Sequence, residues 1–269
     1  MRQSERSLAL ARKVGNRRYV AGAASYVATA LLAGETSCSV ALARLQALMR
    51  EIADDPVAAA AVGLHLGLLL GMVGRFDEAS ARVAASRDVF SGLGQSRWLA
   101  DTASKSGLIA RLEGRYDDAR RELEQSYLYY REQQDAANAP MIACVLGKVL
   151  CAVGEYQEAL VLSEYAEIQA VSHDLEPQVG WRCVRARALA AQGSPAGSER
   201  LAREALDLVR STDFVNLHAD VLVDLAEVLI AVDRKPEAAE PLAEAIELYR
   251  RKGNLVGARR AASIEAAIA

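Results

Sequence analysis

The chain has 269 residues, of which 52% are hydrophobic and 5% aromatic, and its formal net charge is −3. This slightly acidic balance argues against direct binding of nucleic acid through phosphate contacts. The most apolar run, residues 58–73, is interrupted by His65 and by glycines, and it is too short to span a bilayer. We therefore expect a core helix there and no membrane association. No signal peptide is recognisable, and four cysteines without CxxC spacing are typical of a cytoplasmic protein.

A spacing of about 40 residues organises the chain. The segment Gly67–Ser86 (GLLLGMVGRFDEASARVAAS) is followed by the similar segments Gly107–Ser126 and Gly147–Ala166. Each segment has the pattern of a helix end, a tight glycine turn and a second helix. A fixed period of this kind predicts helical hairpins that stack on their neighbours, hence an all-α fold.

Taken in order, the chain begins with an amphipathic helix over residues 2–14 and ends with a capping helix over residues 255–268. Six predicted repeats lie between them, with turns near residues 34, 74, 114, 154, 193 and 233. We predict a single superhelical domain over residues 1–269, a right-handed α-solenoid. Because helix 2–14 matches the second helix of a repeat, either the chain is a piece of a longer protein or this helix is an N-terminal cap. An exposed apolar end of the array would allow a homodimer.

Small residues recur at two positions of the repeat. Gly67, Gly107 and Gly147 stand seven residues before the turn glycines, and alanines stand five residues after them. Helices approach each other to about 8–10 Å only where the contact residues are small. These positions therefore predict where the two helices of each hairpin cross.

The recurring glycines and alanines, with Phe76, Tyr116 and Tyr156 two residues after the turn glycines, resemble the tetratricopeptide repeat. The resemblance covers residues 16–252 and is best in repeats two to four. The period departs from the family value of about 34 residues, and the tryptophan and the terminal proline of the family pattern are absent. The resemblance implies a superhelix whose first helices line a concave groove for a peptide or protein.

The C-terminal sequence carries a more specific resemblance. Residues 211–214, 218–229 and 244–261 resemble the C-terminal repeat region of bacterial regulators that join a nucleotide cyclase and an AAA-type ATPase to a helical array. Large LuxR-type ATP-dependent transcription activators carry similar arrays. No phosphate-binding GxxxxGK[ST] motif occurs in this chain. This resemblance implies a role in signalling or transcription control, with other domains of a larger parent chain as further candidate partners.

The resemblance places specific side chains in the groove. The candidate partner-binding residues are apolar in repeat two and basic in repeats three to five: Leu64, Leu68, Met72, Lys105, Arg111, Lys148 and Arg187. Asp220, Asp224 and Glu227 give the groove an acidic C-terminal end. Arginine and lysine supply charge-assisted hydrogen bonds, so the basic part would hold a carboxylate or an acidic peptide. The alternative is that these are solvated charges on amphipathic helices.

Other reactive side chains have simpler interpretations. Cys144 and Cys151 share a helical face, and Cys183 takes the position of Cys144 one repeat later, but buried thiols explain them better than a metal site. The tyrosines near residues 127–130 form either a surface hot spot or packing between repeats. No catalytic arrangement is present, so we expect no enzyme activity, no metal and no cofactor.

The sequence thus predicts a non-enzymatic scaffold or regulatory module that binds a peptide or protein segment in its concave groove. The alternative is a small-molecule sensor whose ligand occupies the apolar part around Leu64, Leu68 and Met72.

Overall fold

The computed structural model describes residues 2–268, with the side chains of residues 2, 17 and 18 excepted. Residues 1 and 269 of the predicted domain lie outside the described part. Within it, all regular secondary structure is helical. The fourteen helices are α1 (Arg2–Val14), α2 (Arg17–Ala33), α3 (Cys38–Glu51), α4 (Pro56–Met72), α5 (Phe76–Gly92), α6 (Ser96–Glu113), α7 (Tyr116–Glu132), α8 (Asn138–Ala152), α9 (Tyr156–Gln169), α10 (Leu175–Ala191), α11 (Pro195–Val209), α12 (Val215–Ala231), α13 (Lys235–Lys252) and α14 (Leu255–Ile268).

Helices α2 to α13 form six antiparallel hairpins, each pairing an even-numbered helix with the next odd-numbered one. Four of the hairpin turns contain a glycine in the left-handed region, with φ between 75° and 86°: Gly74, Gly114, Gly154 and Gly193. A side chain is strained in this conformation, which explains the recurring glycine. In the last hairpin Asp233 takes the same conformation with φ 62°. Gly34, in the first hairpin, stays outside the left-handed region.

Helix α4 is the most enclosed element. It begins as the sequence predicts: Pro56 is its first residue, and the Asp55 carboxylate accepts a hydrogen bond from the Ala58 N–H at 3.0 Å. Its residues are buried on every side because α2, α3, α5, α6 and α14 all pack against it. A helix that is apolar all round belongs in a core. No helix in residues 2–268 is long and apolar enough to cross a membrane.

The small residues allow close helix contacts, but not all within one hairpin. A Cβ atom on Gly107 would lie 2.6 Å from Leu123 Cγ and 3.1 Å from Ala119 O, both on the partner helix α7. A Cβ atom on Gly147 would instead lie 2.8 Å from Val184 Cγ1, on α10 of the next hairpin. The predicted crossing point within the hairpin is therefore wrong for Gly147, where the close neighbour is the following repeat.

The array curves until its two ends meet. Lys252, the last residue of α13, is fully buried, and its ammonium donates to the carbonyl oxygens of Leu31, Gly34 and Thr36 at 3.0, 2.5 and 2.8 Å. The Leu31 carbonyl lies in the last turn of α2, where helix carbonyls lack partners of their own, and the other two lie in the segment that follows α2. Helix α14 also packs against α4. The first and last hairpins thus close the solenoid around a central space.

Candidate functional site

A cavity of about 220 Å³ lies inside the closed array. Helices α2, α4, α6, α8, α10 and α12, the first helix of every hairpin, all contribute to its wall. Most of the wall is apolar: Leu32, Ala33, Leu68, Met72, Leu108, Leu112, Met141, Ile142, Val145, Phe214 and Leu217. Its polar side chains are Ser104, Lys105, Arg111, Lys148, Glu176, Asn216, Asp220 and Asn254. An apolar cleft with a few converging polar groups is the usual form of a binding site.

Five of the seven predicted groove residues line this cavity: Leu68, Met72, Lys105, Arg111 and Lys148. They come from α4, α6 and α8. They stand nine, six and two or three residues before the turn glycines, a spacing that keeps them on one helical face, and that face lines the cavity.

The prediction that Leu64 lines the groove is wrong. The Leu64 side chain is 0% exposed and belongs to the hydrophobic core of the N-terminal half, so it does not line the cavity. It precedes Leu68 by about one helical turn. Because α4 is covered on all sides, the inner-face position at residue 64 is already occupied by protein.

The prediction that Arg187 lines the groove is also wrong. Arg187 lies on α10 beside the main cavity, where its guanidinium contacts Glu227 at 2.7 Å and Asp224 at 3.4 Å. The side chain is 14% exposed. Arg187 is therefore occupied by carboxylates of α12 and has no direct access to a ligand in the main cavity.

The predicted basic and acidic parts of the groove neutralise each other. The Lys148 ammonium lies 2.6 Å from Asp224 Oδ2, and Arg260 of α14 reaches Glu227 at 2.8 Å. Burial raises the pKa of Asp224, but the charges of Lys148 and Arg187 outweigh it and hold that pKa below its usual value. This buried network joins α8, α10, α12 and α14 across the inside of the array.

Lys105 and Arg111 differ from the other two predicted cations. Neither side chain forms a hydrogen bond or an ion pair with any described residue, and Arg111 Nε is buried without an acceptor. Both side chains are half-buried on α6 and face the main cavity. These two cations are thus available to a ligand.

Two asparagines in the cavity wall were not singled out by the sequence. Asn254 Nδ2 donates to Asn216 Oδ1 at 3.1 Å, and Asn216 Nδ2 lies 3.7 Å from Met72 Sδ. They are 38 residues apart, close to the repeat spacing, which is a signal that could have paired them. Asp220, on the same wall, accepts a hydrogen bond from the Tyr249 hydroxyl.

The remaining candidates are structural. All four cysteines are free and buried, and burial raises the pKa of the Cys144 thiol to about 12, so it is not a reactive thiolate. In residues 2–268 no group of His, Cys, Asp and Glu has the arrangement of a metal site. Tyr127 packs edge-on against Tyr165 with ring centroids 5.5 Å apart, and the Tyr130 hydroxyl donates to Asp101 at 2.6 Å. The Tyr127–Tyr165 pair joins neighbouring repeats, and the Tyr130–Asp101 hydrogen bond joins the two helices of one hairpin.

The fold has counterparts among solved structures. The chain is similar to NprR in complex with its cognate peptide NprX, with a TM-score of 0.62 and 13% identity over 84% of this chain and 66% of that chain. It is also similar to the apo form of the quorum sensor NprR from B. thuringiensis, with a TM-score of 0.59 and 12% identity over 94% of this chain and 70% of that chain. No protein-family model matches the chain, and no curated protein matches it in sequence. The chain spans about two thirds of the length of these structures. At this identity the likeness shows the fold alone, and that fold is a helical-repeat solenoid.

Proposed function

We propose that this chain is a non-enzymatic binding module that takes a peptide or protein segment into its central cavity. One observation carries the proposal: all six hairpins contribute to a single, mostly apolar cavity that contains two cations without partners. A solenoid gains little stability from such a cavity, because each repeat is stabilised by packing on its neighbours. The fold neighbour NprR was solved with a peptide, which supports the same use here.

The proposal is non-enzymatic because the described cavity offers no nucleophile paired with a base. Cys144 donates weakly to the Pro177 carbonyl, and Lys148 is held by Asp224. Following the sequence resemblance, we propose that the module works in a bacterial, cytoplasmic signalling or transcription regulator, with other domains of a parent chain as further partners. A homodimer stays a prediction, as does the lack of nucleic-acid binding.

A small-molecule effector is the second candidate. The volume favours it, because about 220 Å³ is smaller than the roughly 300–1,000 Å³ of most ligand pockets. A peptide longer than one or two residues would have to extend through an opening of the cavity or open the closed array. A small apolar ligand would fit without such a change.

Two ligand screens test the proposal. A pool of synthetic hexapeptides and a library of small metabolites are mixed separately with the purified chain, and retained compounds are identified by mass spectrometry after gel filtration. Hits must raise the thermal midpoint, because a ligand of the folded state stabilises it. The variant Met141→Trp fills the cavity and should abolish binding. Its control, Val161→Trp, adds the same ring at an exposed position on α9 and should bind normally. Retained peptides that bind Met141→Trp as well as the wild type would place binding elsewhere.

A further inference from the structure

We propose that the cavity recognises a carboxylate on the peptide and that Arg111 is the residue that holds it, with Lys105 as a second contact on the same helix. This inference rests on the proposed function and names the chemistry of the ligand. The carboxylate comes either from the C-terminus of the peptide or from an Asp or Glu side chain near it.

The four cations predicted for the groove differ in whether protein carboxylates already pair with them. Lys148 and Arg187 are ion-paired with Asp224 and Glu227. The side chains of Lys148, Arg187 and Asp224 are at most 14% exposed. A ligand carboxylate would have to displace an ion-paired protein carboxylate to reach them. Arg111 and Lys105 need no such exchange, since no described residue occupies them.

Arg111 is the better placed of the two unpaired cations to hold a carboxylate. Its Nε–H is buried and unpaired, and a buried donor without an acceptor is unfavourable. The guanidinium is planar and always charged, and its fork of N–H groups matches the two oxygens of a carboxylate. A carboxylate at this point would satisfy the unpaired donor and gain charge-assisted hydrogen bonds in a largely apolar space.

Lys105 precedes Arg111 on the same helix. The two residues are six positions apart on α6, which separates them by about 9 Å along the helix axis. An extended peptide advances about 3.3 Å per residue, so Lys105 lies two to three residues along from a carboxylate at Arg111. A backbone carbonyl or a second carboxylate would meet it there. The Lys105 charge already acts at longer range on Asp101 and Glu176.

The other wall residues suit a peptide end and not a bare anion. Asp220, Glu176 and Asn216 offer oxygen acceptors, which match backbone N–H groups. Leu108 and Leu112 lie on the same helix as the two cations and would contact apolar side chains. A carboxylate, amide N–H groups and apolar side chains occur together at the end of an apolar peptide.

The experiment uses hexapeptides recovered from the pool of free C-terminal peptides. Each is resynthesised in three forms: with the free C-terminus, with a C-terminal amide, and with any Asp or Glu replaced by Asn or Gln. Affinities for the full chain are measured by calorimetry. We expect loss of the recognised carboxylate to weaken binding about tenfold or more, the scale of a charge-assisted hydrogen bond.

The protein variants locate the contact. Arg111→Met should weaken the free peptide about tenfold and erase the difference between the carboxylate and its neutral form, whereas Arg111→Lys should keep part of it. Lys105→Met should have a smaller effect. The control is Arg210→Met, which removes an exposed arginine outside the cavity and should change nothing. The peptide forms test the wild-type chain directly, so a variant that fails to fold does not decide the result.

The outcomes separate the two proposals. If amidation alone weakens binding, the carboxylate is the C-terminus; if Asn or Gln replacement alone does so, it is a side chain, and both results support the inference. If peptides bind equally in all three forms, or if Arg111→Met keeps the full preference for the carboxylate, the inference is overturned while peptide binding stands. If no peptide from the pool binds, the proposed function itself fails.

Discussion

Lys252 Nζ lies 3.0 Å from the carbonyl oxygen of Leu31, a residue 221 positions earlier in the chain. The same ammonium reaches two further carbonyls of the segment that follows α2, so one side chain from the last hairpin caps a helix of the first. This contact joins the ends of the array around the cavity. A solenoid whose ends are free would instead leave its inner face open along its length.

Replacing this lysine should open the array. Lys252→Met keeps most of the chain length but leaves three carbonyls without their donor. Because an unsatisfied buried acceptor costs about 1–3 kcal/mol, we expect the free energy of unfolding to fall by at least that amount. We also expect a larger radius of gyration by small-angle X-ray scattering. Arg251→Met, at the exposed neighbouring position, is the control and should change neither quantity. An unchanged radius for Lys252→Met would show that other contacts hold the ends together.

We expect His65 to make the stability of the fold depend on pH. Its Nδ1 lies 3.1 Å from the Ala61 carbonyl, which can only accept, so Nδ1 carries the proton and Nε2 accepts from the Thr29 hydroxyl at 3.0 Å. Burial, with a smaller contribution from the charge of Lys105, lowers the pKa of His65 to about 3. The folded state therefore keeps a neutral ring that the unfolded chain protonates below about pH 6.5.

The direction of the pH dependence of stability follows from this lowered pKa. The stability contribution of His65 is fully present above pH 6.5 and is lost as the pH falls toward 3. Relative to His65→Leu, the wild-type free energy of unfolding should fall by about 1.4 kcal/mol for each pH unit below 6.5. Urea denaturation of both proteins between pH 4 and 7 measures this difference. Parallel pH profiles for the two proteins would mean that the ring gains its proton without opening the core.

The buried network around Asp224 should respond to a change of one charge. Asp224→Asn leaves Lys148 and Arg187 without the carboxylate that pairs with both, and breaking such a buried pair costs about 3–5 kcal/mol. The pKa of Asp224 is lowered, so its contribution is present above about pH 3.9 and is lost as the pH falls through its folded-state value. The difference between wild type and Asp224→Asn should therefore shrink below pH 4. The double variant Lys148→Met with Asp224→Asn should cost less than the sum of its two single variants, as measured by a double-mutant cycle.

The sequence predicts the hairpins well because their signals are local. The glycine spacing reflects left-handed turns at Gly74, Gly114 and Gly154, and the register of the repeat places Lys105, Arg111 and Lys148 on the inner face. These are properties of one unit and its neighbour.

The pairings across the array could not be predicted in the same way. Whether Lys148 meets Asp224, or Lys252 meets Leu31, depends on the curvature that accumulates over several repeats. A small error in the angle per repeat would move these residues far apart. For the same reason the sequence predicts separate basic and acidic parts of the groove, whereas the curvature brings those parts into contact. Leu64 was misplaced because α4 is apolar on all sides, so its pattern does not mark an inner face.

The close approach of α6 and α7 gives a last test. A methyl group on Gly107 would lie 2.6 Å from Leu123 Cγ and 3.1 Å from the Ala119 carbonyl oxygen, and the backbone atom cannot turn aside. Overpacking of a dense core costs about 1–3 kcal/mol, so Gly107→Ala should lower the free energy of unfolding by that amount. Gly92→Ala is the matched control: it meets no atom within 4 Å and should stabilise the chain by about 0.4–1 kcal/mol. In a double-mutant cycle, adding Leu123→Ala should recover part of the loss caused by Gly107→Ala, because it removes the nearest clashing atom. Equal stability changes for Gly107→Ala and Gly92→Ala in urea denaturation would show that the two helices can separate at no cost.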